Sequence, residues 1–300
     1  MQPAGTPDAE FDLTPEFATE LLATQHPDLA GLPLIPVESG WDNAIFRLGD
    51  ELALRLPRRA AAAPLIVHEQ TWLPMLAERL PVPAPVPIHV GIPGAGYPWH
   101  WSVVRWLHGT PADEHELGTT SAAQMGAFLR ELHLPAPAHA PRNPVRGVPL
   151  VERAAVVAPR MQRLAHSTDA ITPRIVEVWQ AALQAPLDVP VTWIHGDLHP
   201  RNILIDHEEI AGIIDWGDLA AGDRATDLAS LWMLFRSSEL RQQALRTYGE
   251  VSTGTIRRAK GWALLFGAVL LETGLVDNPR NERLGSQILT NLNGDDIAEW

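Results

Sequence analysis

The 300-residue sequence predicts an α+β chain of two lobes, a small antiparallel-sheet N-lobe over residues 1–107 and a larger, mainly helical C-lobe over residues 108–300. Three observations carry this expectation. Between residues 34 and 57, apolar and polar residues alternate in short runs separated by turn signals, as half-buried strands do. From Thr120 onward most segments place apolar residues at helical spacing. Between these patterns lies the polar stretch HGTPADEHELG (108–118), which reads as a hinge.

The elements come in order along the chain. TPEFATELLATQH (14–26) opens with a capping threonine and a proline, so a helix starts there. LIPVES, NAIFRLGD and ELALRLP form three antiparallel strands, with Ser39-Gly40 and Gly49-Asp50 as the turns between them. A helical period returns over 64–80, and WHWSVVRWL (99–107) closes the lobe as a tryptophan-rich strand. In the second lobe, TSAAQMGAFLRELHLP (120–135) has a serine start and a proline stop. The connection after it, APAHAPRNPVRG, is longer than most and therefore either functional or mobile. Helical patterns over 150–164 and 173–183 lead to one strand-like interruption near residue 200, and helices resume from Asp223 to the end.

Composition narrows the chemistry. A net charge of -13 disfavours a protein that grips nucleic-acid phosphates through a broad basic face, and it favours a cationic partner. With no cysteine, thiol nucleophiles, disulfides and zinc-thiolate sites are excluded. The N-terminus lacks the plan of a secretory signal, and the apolar run GWALLFGAVLLETG (261–274) falls short of the roughly 20 residues of a spanning helix, so a cytoplasmic protein without a membrane partner is expected. All 23 basic residues except Lys260 are arginine, so a phosphate-binding lysine elsewhere is impossible.

The richest polar stretch is WIHGDLHPRNILIDHEEIAGIIDWGD (193–218). ILIDHEEIAGII within it has the pattern of a hairpin with a polar turn at 206–209. Symmetric pairing makes partners sum to 417, which sets Ile203 opposite Ile214 and Asn202 opposite Asp215, with Cα atoms about 4.5–5.5 Å apart. An amide oxygen and a carboxylate so placed suit a hard divalent ion such as Mg²⁺. The residues alone also allow a different reading, with His195, Asp197 and His199 on alternate positions around a zinc or iron ion.

HGDLHPRN (195–202) together with IIDWGD (213–218) resembles the signature of the aminoglycoside phosphotransferase family, which also contains macrolide phosphotransferases and relatives of choline and fructosamine kinases. The resemblance implies a two-lobed, protein-kinase-like fold, and a nucleotide-binding N-lobe followed by a catalytic and substrate-binding C-lobe. It implies transfer of the γ-phosphoryl of ATP or GTP to a hydroxyl of a small molecule, an aminoglycoside, a macrolide or a similar cationic antibiotic, with Mg²⁺ as cofactor. Asp197 would face the acceptor hydroxyl and His199 the transferred group, while Asn202 and Asp215 would hold the metal. ESGWDNAIFRLGDELALRLPRR (38–59) resembles the family's first hairpin. Ser39 and Gly40 would bend over the nucleotide phosphates there, and Arg55 stands where most kinases have lysine. Glu69 matches the carboxylate that anchors that basic residue. VVRWLHG (103–109) resembles the linker that grips the base through the carbonyl near Arg105 and the amide near Leu107.

Overall fold

The computed structural model of the chain describes residues 8–37 and 40–295. The chain divides into two compact units, Met1–His108 and Gly109–Trp300.

The first unit is an antiparallel sheet with two helices. Helix α1 (Pro15–Gln25) starts where the sequence places it, with the Thr14 hydroxyl accepting the Phe17 N–H and proline in the first turn. Strands β1 (Leu34–Pro36), β2 (Asn43–Leu48) and β3 (Leu52–Pro57) come next, then α2 (Ala63–Ala77), β4 (Pro87–Gly91) and β5 (Trp101–Arg105). The sheet order is β1-β2-β3-β5-β4. Strand β4 is not evident from the sequence, because its run begins in a proline-rich segment. It lies at the sheet edge, where a proline breaks no ladder bond on the open side. Leu21, Leu22, Phe46, Leu54, Leu56 and Trp101 form the buried core of this unit. Tyr97 closes one end, its hydroxyl donating to the Pro57 carbonyl at 2.6 Å.

The second unit is built around one helix. Its elements are β6 (Thr110–Pro111), α3 (Thr119–Leu132), α4 (Ala154–Ser167), α5 (Pro173–Gln184), β7 (Thr192–Ile194), β8 (Ile203–Asp206), β9 (Glu209–Ile213), β10 (Ala220–Gly222), α6 (Ala225–Leu228), α7 (Ser230–Leu234), α8 (Ser238–Tyr248), α9 (Thr253–Asp277) and α10 (Pro279–Asn293). Helix α9 is buried without a break from Arg258 to Ala268, as a helix apolar on all faces must be. It packs against α10, α5, α6 and α4. Ser252 caps it by accepting the Thr255 N–H at 3.0 Å, so it begins eight residues before the apolar run noted in the sequence. At 25 residues it is long and apolar enough to cross a membrane, and 67% of its apolar window is buried within the unit. Its two buried cations are both paired. Arg258 donates to both oxygens of Asp223, and Lys260 lies 3.6 Å from Asp295.

Small β elements fix the ends of the segment 195–219. Strands β7 and β10 pair antiparallel, Ile194 with Ala220 and Thr192 with Gly222, so this segment leaves and returns at one place. Between them β8 and β9 form the expected hairpin, extended by β6 on the far edge of β8.

Candidate active site

The hairpin corrects the expected register. Ile203 pairs with Ile213 and Leu204 with Gly212, after which the register shifts so that Ile205 pairs with Ile210 and Asp206 with Glu209. Ala211 is the extra residue, a bulge on β9. The turn is only His207-Glu208, both at positive φ (46° and 70°), as a two-residue hairpin turn requires. Asn202 consequently faces Ile214, whose N–H donates to the Asn202 carbonyl at 2.9 Å, and not Asp215. Asp215 lies one residue past the ladder with φ 60° and ψ 66°, where the chain turns sharply into the Trp216–Asp218 turn. Its side chain is exposed, while Asn202 is 7% exposed. The Asn202 amide nitrogen donates to the Asp197 carbonyl at 2.9 Å, so the amide oxygen is what it has left to offer.

The loop before the hairpin is held from below by Asp227. Its two carboxylate oxygens accept the backbone N–H groups of His195 (2.7 Å) and Gly196 (2.8 Å). Gly196 adopts φ +88°, and a Cβ there would lie 2.8 Å from the Asp218 carbonyl oxygen, so no other residue fits this step. His195 is wholly buried, with its ring 4.7 Å from that of Trp216. Its Nδ1 accepts the Asp197 N–H (3.2 Å) and its Nε2 therefore donates to the Ile214 carbonyl (3.0 Å). With both ring nitrogens committed to backbone, His195 has no lone pair for a metal. That removes the zinc reading of 195, 197 and 199. Among the described residues no group of three or more His, Asp or Glu side chains is arranged to hold a metal ion.

The His199 side chain caps the short turn Pro200–Asn202, its Nδ1 accepting the Arg201 N–H at 3.2 Å. Its Nε2 stands 3.5 Å from Oδ2 of Asp197. Burial lowers the His199 pKa against the opposing pull of Asp197 and Asp215, so the ring is neutral near pH 7.

Asp197 has a partner the sequence did not reveal. Arg146 donates from Nη2 to Asp197 Oδ1 at 2.9 Å and reaches Oδ2 of Asp218 from Nε at 3.4 Å. Burial, the largest single influence, would by itself raise the Asp197 pKa, but Arg146 first and then His199 and His195 together outweigh it and hold the carboxylate below its usual range. Asp218 goes the other way. Burial and the charges of Asp197 and Asp215 raise it in spite of Arg146. Arg146 sits in the long proline-rich connection after α3, at the end of which a Cβ on Gly147 would lie 2.8 Å from the Gly222 Cα. This connection is a built part of the site and not a slack linker. Asn143 and Asp218 join it, the Asn143 amide donating to Asp218 at 2.6 Å. The sequence signals were weak: an over-long loop with Asn-Pro and Arg-Gly, and a second aspartate three residues after Asp215.

In the first unit, Arg55 on β3 and Glu69 on α2 form an ion pair between side chains 7% and 1% exposed, buried and not at the surface. The Gly40 N–H donates to the Asn43 carbonyl at 3.1 Å, and its own carbonyl accepts from Arg58 at 2.9 Å, which closes the turn before β2. Ser39 lies outside the described residues. Arg105 is the exposed last residue of β5, opposite Leu52, and Leu107 is half-buried just beyond it.

The model of the phosphotransferase enzyme family, APH, matches residues 33–262. The chain belongs to this family. No curated protein matches the phosphotransferase, but solved structures do. It is similar to the GDP complex of aminoglycoside 2'-phosphotransferase-IIIa, at 18% identity over 94% of this chain and 99% of that one, with a TM-score of 0.66. Macrolide 2'-phosphotransferase MphH from Brachybacterium faecium is similar at 21% identity over 94% and 98%, with a TM-score of 0.59. ADP-bound aminoglycoside phosphotransferase APH(2'')-Ib is similar at 16% identity over 93% and 98%, with a TM-score of 0.60. These likenesses establish for the phosphotransferase the two-lobed, kinase-like α+β fold that the sequence predicts.

Proposed function

We propose that this phosphotransferase moves the γ-phosphoryl group of ATP or GTP to a hydroxyl of a small, amine-bearing molecule of the aminoglycoside or macrolide kind, with Mg²⁺. The observation that carries the reading is the Asp197 carboxylate. It is one-fifth exposed, its pKa lowered in spite of burial with Arg146 as the chief opposing charge, and fixed on a loop that Asp227, His195 and Asn202 hold through backbone hydrogen bonds. A carboxylate with those properties orients an incoming hydroxyl and accepts its proton as the oxygen attacks phosphorus.

Asn202 and Asp215 fit Mg²⁺ as a donor set, because one offers an amide oxygen and the other an exposed carboxylate, both hard ligands. When bound, the ion would neutralise charge on the phosphate oxygens. Arg55, kept in place by Glu69, contacts phosphate oxygens with a planar fork where a lysine would offer a point charge. Gly40 covers the phosphates, and the backbone at Arg105 and Leu107 takes the base. His199, neutral and 3.5 Å from Asp197, borders the hydroxyl as it arrives.

The acceptor class rests on charge and likeness together. The net charge of -13 favours a cation, and the similar structures include the kanamycin complex of APH(2")-IIIa and the gentamicin complex of APH(2")-IIa. The ADEHE segment (112–116) contributes less than its charge suggests, because Arg280 already pairs with Asp113 and Glu114. A panel of aminoglycosides, macrolides, choline and fructosamines, each with Mg-ATP and Mg-GTP and read by nucleoside diphosphate release, tests the reading. Turnover with an antibiotic amine supports it, and turnover only with choline or a sugar replaces the acceptor class. Asp197→Ala is expected to lower turnover about a thousand-fold with nucleotide affinity nearly unchanged. Activity close to wild type in that variant would remove Asp197 from the mechanism.

A further inference from the structure

Arg146 is anchored more firmly than a charge-balancing residue needs to be. Its guanidinium carbon lies 4.7 Å from the centroid of the Phe266 ring on α9, so one face of the fork is backed by an aromatic plane. Its backbone N–H and that of Val145 donate to Asn143 Oδ1 at 3.0 and 2.9 Å, which sets the bend of the loop. The next residue is pinned as well, since the Gly147 carbonyl accepts the Asp223 N–H at 2.8 Å. The two carboxylates it meets, Asp197 and Asp218, precede and follow the hairpin in the chain and meet at its open end. A lysine would offer the two carboxylates a single point charge in place of donors held in a fixed plane.

The contacts divide the oxygens of Asp197 into two kinds. Oδ1 accepts from Arg146 at 2.9 Å, a full charge-assisted hydrogen bond. Among the described residues Oδ2 has only His199 Nε2 at 3.5 Å, too long for a hydrogen bond of its own.

We propose that Arg146 is a positioning residue for phosphoryl transfer, occupying Oδ1 of Asp197 so that Oδ2 is presented to the acceptor hydroxyl. The hydroxyl oxygen forms the new bond to the γ-phosphorus and its proton passes to Oδ2. The bond from the γ-phosphorus to the bridging oxygen breaks, and its electron pair leaves with the nucleoside diphosphate. This rests on Asp197 being the acceptor-facing group, and the test separates the two claims.

Full-length wild type, Arg146→Ala, Arg146→Lys and Asp197→Ala are compared with Mg-ATP and Mg-GTP and water as the acceptor, by release of inorganic phosphate. Arg146→Ala is expected to lose about a hundred-fold in kcat while the nucleotide KM moves by no more than about three-fold, as misplacement of one reacting group does. Arg146→Lys keeps the charge and the fold but recovers only part of the rate. Millimolar methylguanidine restores Arg146→Ala by about ten-fold or more and leaves Asp197→Ala unchanged. Arg146→Ala within about two-fold of wild type, with Asp197→Ala inactive, overturns the proposal and spares the role of Asp197. A loss in Arg146→Ala that methylguanidine does not restore, accompanied by a matching fall in Tm, also overturns it, because Arg146 would then only hold the fold. Asp197→Ala at the wild-type rate overturns the reading of Asp197 and this inference with it.

Discussion

Each unit sets an arginine against a carboxylate, and the two pairs are built in opposite ways. Arg55 and Glu69 are 14 residues apart, on a strand and the next helix, and are sealed at 7% and 1% exposure. Arg146 and Asp197 are 51 residues apart, both on loops, and remain 22% and 21% exposed. A sealed pair is strongly coupled because no solvent screens it, and each partner depends on the other for compensation of its lost hydration. A half-open pair holds its geometry but leaves an oxygen within reach of a third group. The first arrangement holds the Arg55 fork in one fixed place, and the second leaves a carboxylate partly open.

The largest expected effect comes from breaking the sealed pair. Glu69→Ala removes the carboxylate to which the buried Arg55 guanidinium donates, at a cost of about 3–5 kcal/mol in stability. Chemical denaturation of the full chain measures it. A loss below about 1 kcal/mol, the range of exposed pairs, would show that the two pairs do not differ in kind.

The helical unit has its own sealed carboxylate, and it sharpens the contrast. Asp227 is wholly buried and accepts two successive backbone N–H groups, at 2.7 and 2.8 Å, beneath the very loop that carries Asp197. Asp227→Asn puts an NH₂ group against one of those donors, so one buried N–H is left without an acceptor. The expected loss is about 2–3 kcal/mol of stability. Turnover should fall with it, because the loop loses its shape, whereas Asp197→Ala is expected to cost less stability than Asp227→Asn, since its pair with Arg146 is partly exposed. Asp227→Asn with wild-type stability and turnover would count against the loop being held from this side.

The sequence showed the fold and half of this site. HGDLHPRN and DWGD lie in one continuous stretch whose apolar and polar runs announce a hairpin, so the loop, the hairpin and their likeness to a family were all legible. The register was not, because Ala211 and Gly212 carry no strong hydrophobic signal that could mark an extra residue, and the turn at His207-Glu208 lacks the glycine or asparagine that usually betrays positive φ. Arg146 and Asn143 were hidden for another reason. They reach Asp197 and Asp218 across 51 and 75 residues from a loop without periodicity, and only the folded chain brings the segments together. The short pairing of β7 with β10, three residues on each side, was likewise too brief to leave a pattern.

The smallest effect tests the half-open pair through its second carboxylate. Asp197 and Asp218 share one guanidinium, yet their pKa values move in opposite directions, Asp197 down and Asp218 up. For Asp218, protonation is easier in the fold than in the unfolded chain. The stability this contributes is complete below the unfolded pKa of about 3.9 and is lost as pH rises through the raised folded value. Asp197 contributes with the opposite sign, its stability present above the unfolded pKa and lost as pH falls through the lowered folded value. Asp218→Asn stays neutral throughout and removes only the first dependence. Relative to wild type, the variant should therefore gain stability as pH rises from about 4 to about 7, by about 1 kcal/mol or less given the 26% exposure of the side chain. Urea denaturation of both proteins across that range measures the gap. A gap that does not change with pH, or one that widens in favour of wild type, would mean that Arg146 holds both carboxylates ionised alike, and that the open pair is as fully compensated as the sealed one.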